Sequence, residues 1–206
     1  SFYNNGIIPS CNPQNCKDPK GDKIPSLPLA IKQGIADLHK AGKKILVSFL
    51  PGTGENTWGN LPAFWKAFAS ACQYMLTEWD IDGFDWDCEE GECPPVNFGS
   101  GQDWNNPKVQ KQVEQIFTTL RSLKCNKNRG FPGESRPIIT WTGETTWQFS
   151  GLTDISPYTP LIDYFCTMNE NYSIQDPQQM LKDYKSFQGK GMPIEKIVCG
   201  VKAGGC

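Results

Sequence analysis

The sequence predicts a parallel α/β fold, and three observations lead there. Along the 206 residues, short strand-like runs alternate with amphipathic helix-like stretches. The strand-like runs are largely apolar, as suits strands of a parallel sheet covered on both faces. No hairpin turn joins two of them. Strand, helix, strand in repetition is the pattern of parallel α/β layers. Periodicity alone does not distinguish an open sheet from a closed barrel.

In order, Ser1-Phe2-Tyr3-Asn4-Asn5-Gly6 reads as a strand end entering a loop. The loop is rich in Pro, Asn and Lys and runs through Cys11 and Cys16 to about Pro25; a Cys11–Cys16 bridge would staple it. A helix follows over Leu29 to Ala41, with Ile31, Ile35 and Leu38 at i, i+4, i+7 and Gly42 to end it. His39 sits in the charged helix end Leu38-His39-Lys40 and reads as solvated. Ile45 to Leu50 is an apolar strand closed by Pro51-Gly52-Thr53-Gly54.

Leu61 to Glu78 is a second amphipathic helix, striped by Phe64, Phe68, Cys72 and Met75. An acidic, Pro-containing loop, Glu90 to Pro95, comes after the stretch treated below, and Cys88 is near enough to Cys93 for a local bridge. Pro107 opens a third helix to about Lys124, where Pro suits the first turn. Its stripe is Val109, Val113, Ile116, Phe117, Leu120 and Leu123. Strands follow at Arg136–Thr142 and Leu161–Met168, then a helix around Pro177 to Phe187 and a last strand, Lys196–Val201.

The length is that of one domain, 1–206. A formal net charge of −2 points to neither nucleic acid nor anionic membrane. No apolar run is long enough to span a bilayer. Nine cysteines point to an oxidising compartment, hence a secreted, extracellular protein. The odd number leaves one free or paired outside the chain, with Cys206 the obvious candidate. No cysteine spacing makes a zinc pattern, and His39 is the only histidine, which excludes histidine triads and His-rich metal sites.

The chemistry concentrates in Asp82-Gly83-Phe84-Asp85-Trp86-Asp87-Cys88-Glu89. In an extended strand alternate side chains share a face. Asp85, Asp87 and Glu89 then line one face, with Phe84, Trp86 and Cys88 on the other. Carboxylates about 6–7 Å apart along a strand repel each other. The simplest relief is a proton held by one of them, which makes it a general acid. An acidic strand end at the surface and a calcium site are the competing readings, although calcium loops carry more Gly, Asn and carbonyl ligands.

This stretch resembles the DGxDxDxE signature of the family-18 glycoside hydrolases, which include chitinases and endo-β-N-acetylglucosaminidases, and it matches every defined position. The resemblance implies a (β/α)8 TIM-type barrel, incomplete in this chain, with strands two to seven present. Such barrels take about 250 residues. On that mapping Ser1 ends strand two, Ser48 to Gly52 loosely matches the end of strand three, and the signature ends strand four. The remainder of the barrel would come from missing sequence or another chain.

The resemblance also assigns roles. Glu89 is the proton donor. Asp87 orients the substrate's acetamide, whose oxygen is the nucleophile in place of a protein carboxylate. Asp85 shares a proton with Asp87. Asp82 is structural, bonding backbone near the strand start. No metal or organic cofactor is required. The partner is an N-acetylglucosamine-containing glycan: chitin, its oligomers or the chitobiose core of N-glycans.

One position departs from the family pattern. Where a strand-six Tyr is usual, Glu170 stands, between Met168 and Asn171, with Tyr172 two residues on. Glu170, Asn171 and Tyr172 are candidate substrate-binding residues, as is Trp147, since Trp suits stacking on sugar faces. Trp58 and Trp104 are weaker candidates. Asn171-Tyr172-Ser173 is a glycosylation sequon that would sit at the cleft mouth, and is expected to be unmodified. The competing functions are a catalytically weak or inactive chitinase-like binding or structural protein, and a metal-dependent hydrolase, which the lack of His ligands weakens.

Overall fold

The structure is a computed structural model that describes residues 26–49, 62–87, 106–143, 153–167 and 177–199. Its elements run α1 (Leu29–Lys40), β1 (Leu46–Phe49), α2 (Pro62–Glu78), β2 (Gly83–Asp87), α3 (Pro107–Arg121), β3 (Ile138–Gly143), β4 (Tyr164–Thr167), α4 (Pro177–Gly189) and β5 (Ile197–Cys199). Short 3₁₀ turns at Ser156–Tyr158 and Ile194–Lys196 were not legible as elements. The strands form one sheet in the order β1-β2-β3-β4-β5. β3 pairs with β4 and β4 with β5 in parallel, with Thr142 opposite Cys166 and Cys166 opposite Val198. The order follows the chain, as expected of a parallel α/β layer. The strand expected to end at Ser1–Tyr3 lies outside the described residues.

The chain divides into two compact units. The first comprises Ser1–Val47, Thr57–Phe84 and Thr118–Ile138. Within it α2 is buried nearly all round from Ala71 to Leu76. Gln73 ties α2 to the chain after α3, accepting from Lys124 N at 3.1 Å and donating to Lys124 O at 2.8 Å. Asp80 takes φ 57°, a left-handed conformation that Asp tolerates better than most residues. It is held there by Arg129 Nη2 at 2.7 Å and Asn126 Nδ2 at 2.9 Å.

Two residues on, Asp82 is fully buried. Its Oδ1 accepts from Lys44 Nζ and Gly130 N–H, both at 3.0 Å. Its Oδ2 accepts from Ile45 N–H at 2.9 Å and lies 2.8 Å from His39 Nε2. The backbone bonding expected of Asp82 is present, and two side chains join it. Burial alone would raise this carboxyl's pKa. The N–H of Ile45, then Lys44, His39 and the N–H of Gly130 together outweigh that and hold it below the ordinary value.

His39 is therefore not solvated, as its charged neighbours implied: its side chain is 6% exposed. A buried carboxylate needs donors, and the last turn of α1 supplies one. The same contact turns α1. Of its expected stripe only Ile35 is buried; Ile31 and Leu38 are 50% and 46% exposed. The inward edge carries Ile35 and His39, an i, i+4 pair on one face.

The second unit comprises Ser48–Asn56, Asp85–Phe117 and Ile139–Cys206. Its core is aromatic. Trp86 of β2 meets Phe117 of α3 edge-on at 4.9 Å and Trp141 of β3 at 5.2 Å. Trp141 reaches Tyr158 and Phe165, and Phe165 packs at a tilt against Phe187 of α4, with ring centres 4.3 Å apart. Each buried ring contributes about 1.5–3 kcal/mol through area, and each pair about 0.5–1.5 kcal/mol more. Asp163, buried before β4, accepts from Ile139 N–H at 2.9 Å and donates its own N–H to Ile139 O at 2.7 Å.

Coverage of both sheet faces, expected from the apolar runs, holds for one face. On the other, Ser48 is exposed, Asp85 and Asp87 are half-buried, and Tyr164 and Val198 are 38% and 44% exposed. That face carries the polar and acidic side chains, which keep it from packing as core.

Of the cysteines, Cys72, Cys125 and Cys166 are thiols, where at most one unbridged cysteine was expected. Burial pushes the Cys72 thiol well up. Cys125, which donates to Asp82 O at 3.6 Å, is raised to about 12 by burial first and by Asp82 second. Both are inert as nucleophiles. The Cys11–Cys16 and Cys88–Cys93 pairs lie outside the described residues. Among the described residues no helix is long and apolar enough to cross a membrane.

Candidate functional site

β2 does what the period-two spacing requires. Phe84 and Trp86 are buried at 0% and 2% exposure, and Asp85 and Asp87 lie on the opposite, half-buried face. The aromatic pair anchors the strand in the core, so the acids are presented by a rigid element rather than by a loop. The first residue of β2 is glycine because a side chain there has no room: a Cβ would stand 2.0 Å from Ile138 O.

Asp85 is gripped by hydroxyls. Thr140 Oγ1 donates to Asp85 Oδ1, and Thr142 Oγ1 donates to the same oxygen at 2.8 Å. Ser48 Oγ donates to Oδ2 at 3.1 Å. The threonines are two apart on β3 and so face the same way, towards the acid on the neighbouring strand. Asp87 follows two residues along β2, and its Oδ1 is sealed from solvent. The structure thus brings together two of the three expected catalytic acids at the C-terminal end of one strand. Glu89, Trp147, Glu170, Asn171 and Tyr172 lie outside the described residues, as do Trp58 and Trp104.

Ser48, Thr140 and Thr142 were placed on strands by the sequence but given no task. A signal was present: Thr140-Trp141-Thr142 alternates polar and aromatic residues as Asp85-Trp86-Asp87 does, on the next strand in sequence. Two such strands side by side put hydroxyls against carboxylates.

No protein-family model and no curated protein matches the chain. Solved structures do. The chitinase domain of the spore coat protein CotE from Clostridium difficile matches with a TM-score of 0.62 at 19% identity, covering 90% of this chain and 57% of that one. A chitinase from Rhizomucor miehei matches with a TM-score of 0.61 at 19% identity, covering 92% and 59%. A GH18 chitinase from Pseudoalteromonas aurantia gives 0.58 at 18% identity, covering 84% and 62%.

The fold is that of the GH18 chitinases. It is a TIM-barrel-like α/β fold, and the five-stranded sheet is consistent with part of such a barrel. The chain spans less than two thirds of the length of each of these chitinases. At such identities the likeness speaks for the fold. The acidic motif on β2 and its hydroxyl partners belong to this chain's own sequence and geometry.

Proposed function

We propose that the chain is the catalytic part of a glycoside hydrolase that cleaves β-1,4-linked N-acetylglucosamine glycans with retention, by substrate assistance. The observation that carries this reading is the pair Asp85 and Asp87 on one face at the end of a buried strand, Asp85 gripped by three hydroxyls, in a chitinase-like fold. A surface acidic strand would have no need of three hydroxyls converging on one of its acids.

Glu89, two residues after Asp87 in the sequence, gives its proton to the glycosidic oxygen as the C1–O bond breaks. The acetamide oxygen of the same sugar attacks C1 and closes a charged oxazolinium ring, which Asp87 orients and stabilises. Water then displaces the acetamide oxygen from C1, which reopens the ring and restores the acetamide, and gives its proton to Glu89. Asp85 supports Asp87 from below. The barrel is completed by strands beyond the five described.

A fluorogenic chitotrioside and a high-mannose glycopeptide, each offered to the parent and to Glu89→Gln, test the proposal. The parent is expected to release label from the chitotrioside, and the variant at a rate lower by at least about 100-fold, the ordinary worth of a general acid. Turnover of the glycopeptide alone would move the assignment to an endoglycosidase. No turnover of either, with chitotriose still bound, would leave a glycan-binding protein.

A further inference from the structure

We infer that Thr140 and Thr142 are positioning residues for catalysis, a rigid pair of donors that fixes the Asp85 carboxylate beneath Asp87. The inference rests on the hydrolase reading above and adds two residues of β3 to its machinery.

Both hydroxyls converge on one oxygen, Asp85 Oδ1, while Ser48 holds Oδ2. Asp85 cannot turn about either side-chain torsion without losing at least one donor. The donors are themselves stiff, because the branched Cβ of threonine restricts χ1 in a strand. Thr140 is 5% exposed, so water is poorly placed to substitute for its hydroxyl. Sheet packing does not call for hydroxyls here. Thr140 and Thr142 lie opposite Tyr164 and Cys166 across the β3–β4 pairing, and valine would fill the same volume against them. The hydroxyls are spent on the carboxylate.

The consequence falls on the neighbouring acid. With Asp85 fixed and engaged, any rearrangement within the pair during turnover falls to Asp87, the acid that meets the acetamide. Loss of the hydroxyls would loosen the floor beneath Asp87 and misplace it, and misplacement of about 1 Å costs on the order of 100-fold in rate. Substrate contacts elsewhere in the cleft would be unchanged.

Valine and serine variants separate this from packing, since valine keeps the shape and serine keeps the hydroxyl. Thr140→Val, Thr142→Val, the double variant and the two serine counterparts are assayed on the labelled chitotrioside, with melting curves recorded for each. The double valine variant should lose about 100-fold in kcat with KM within about twofold, and each serine variant should stay within about tenfold of the parent. If burial of Thr140 makes the double variant unstable, the half-buried Thr142→Val alone carries the test, with an expected loss of about tenfold. Unchanged kcat in the folded valine variants overturns the inference while leaving the hydrolase reading intact. So does a serine variant that falls as far as its valine partner, which would mark a packing role. A folded parent that turns over nothing overturns the hydrolase reading and, with it, the inference.

Discussion

Replacing Asp82 with alanine should lower the melting temperature by about 10 °C, a loss of about 4 kcal/mol. The side chain is fully buried and takes four donors: Lys44 Nζ, His39 Nε2 and the N–H groups of Ile45 and Gly130. Alanine leaves the two N–H groups without their acceptor, at about 1–3 kcal/mol for each buried orphan. His39, 6% exposed, loses its hydrogen-bond acceptor, and Lys44, 39% exposed, loses its counter-charge. Lys44 recovers by turning to solvent; His39 does not. Asp82→Asn should fall between parent and alanine, since its amide offers one acceptor where four donors converge.

The same residue sets an acid limit. Its folded pKa lies below the ordinary 3.8, so its contribution is complete above the unfolded value and is lost as pH falls through the folded one. Parent stability should therefore drop below about pH 4, and the drop should be shallower in Asp82→Asn. Urea midpoints between pH 3 and 7 would show it. An alanine variant melting within about 2 °C of the parent would mean that the four contacts do not anchor the start of β2.

What the sequence disclosed and what it hid divide along a physical line. Features set by local period were legible. Phe84 and Trp86 went in and Asp85 and Asp87 went out because a strand has period two, and α3 buried Val113, Ile116, Phe117 and Leu120 because a helix has period 3.6. Features set by partners distant in sequence were not. His39 looked solvated among charged neighbours, since Asp82 lies 43 residues away. The exposed Ile31 and Leu38 follow from the same cause: their spacing fits an inward stripe, but the contact at His39 fixed a different edge of α1. Thr140 and Thr142 were hidden more deeply. Their task depends on β3 lying beside β2 with Asp85 at their level, 55 and 57 residues away in sequence. The motif announced the acids; the strand order supplied what holds one of them.

Gly83→Ala should cost at least about 3 kcal/mol, more than almost any exposed substitution and comparable with loss of a buried charge partner. The added Cβ would stand 2.0 Å from Ile138 O, 2.7 Å from Ile138 N and 2.8 Å from Ile138 C. All three are backbone atoms, so no rotamer change relieves the clash and the strands must part. They part where Ile138 N–H donates to Asp82 O at 2.9 Å, so that hydrogen bond is lost as well. Asp85 is two residues further along β2 and Thr140 two further along β3. A wider gap between the strands therefore weakens the grip on Asp85, and activity should fall with stability.

Gly34→Ala is the matched control. Gly34 lies inside α1 with nothing within 4 Å of its missing Cβ. There the same chemical change removes only the entropic cost of a helical glycine, and should stabilise by about 0.5–1 kcal/mol. One glycine-to-alanine change should thus raise the melting temperature and the other lower it steeply. If both moved it in the same direction, β2 and β3 would be able to separate at Gly83 at little cost, and the close strand contact could not be what requires glycine in the motif.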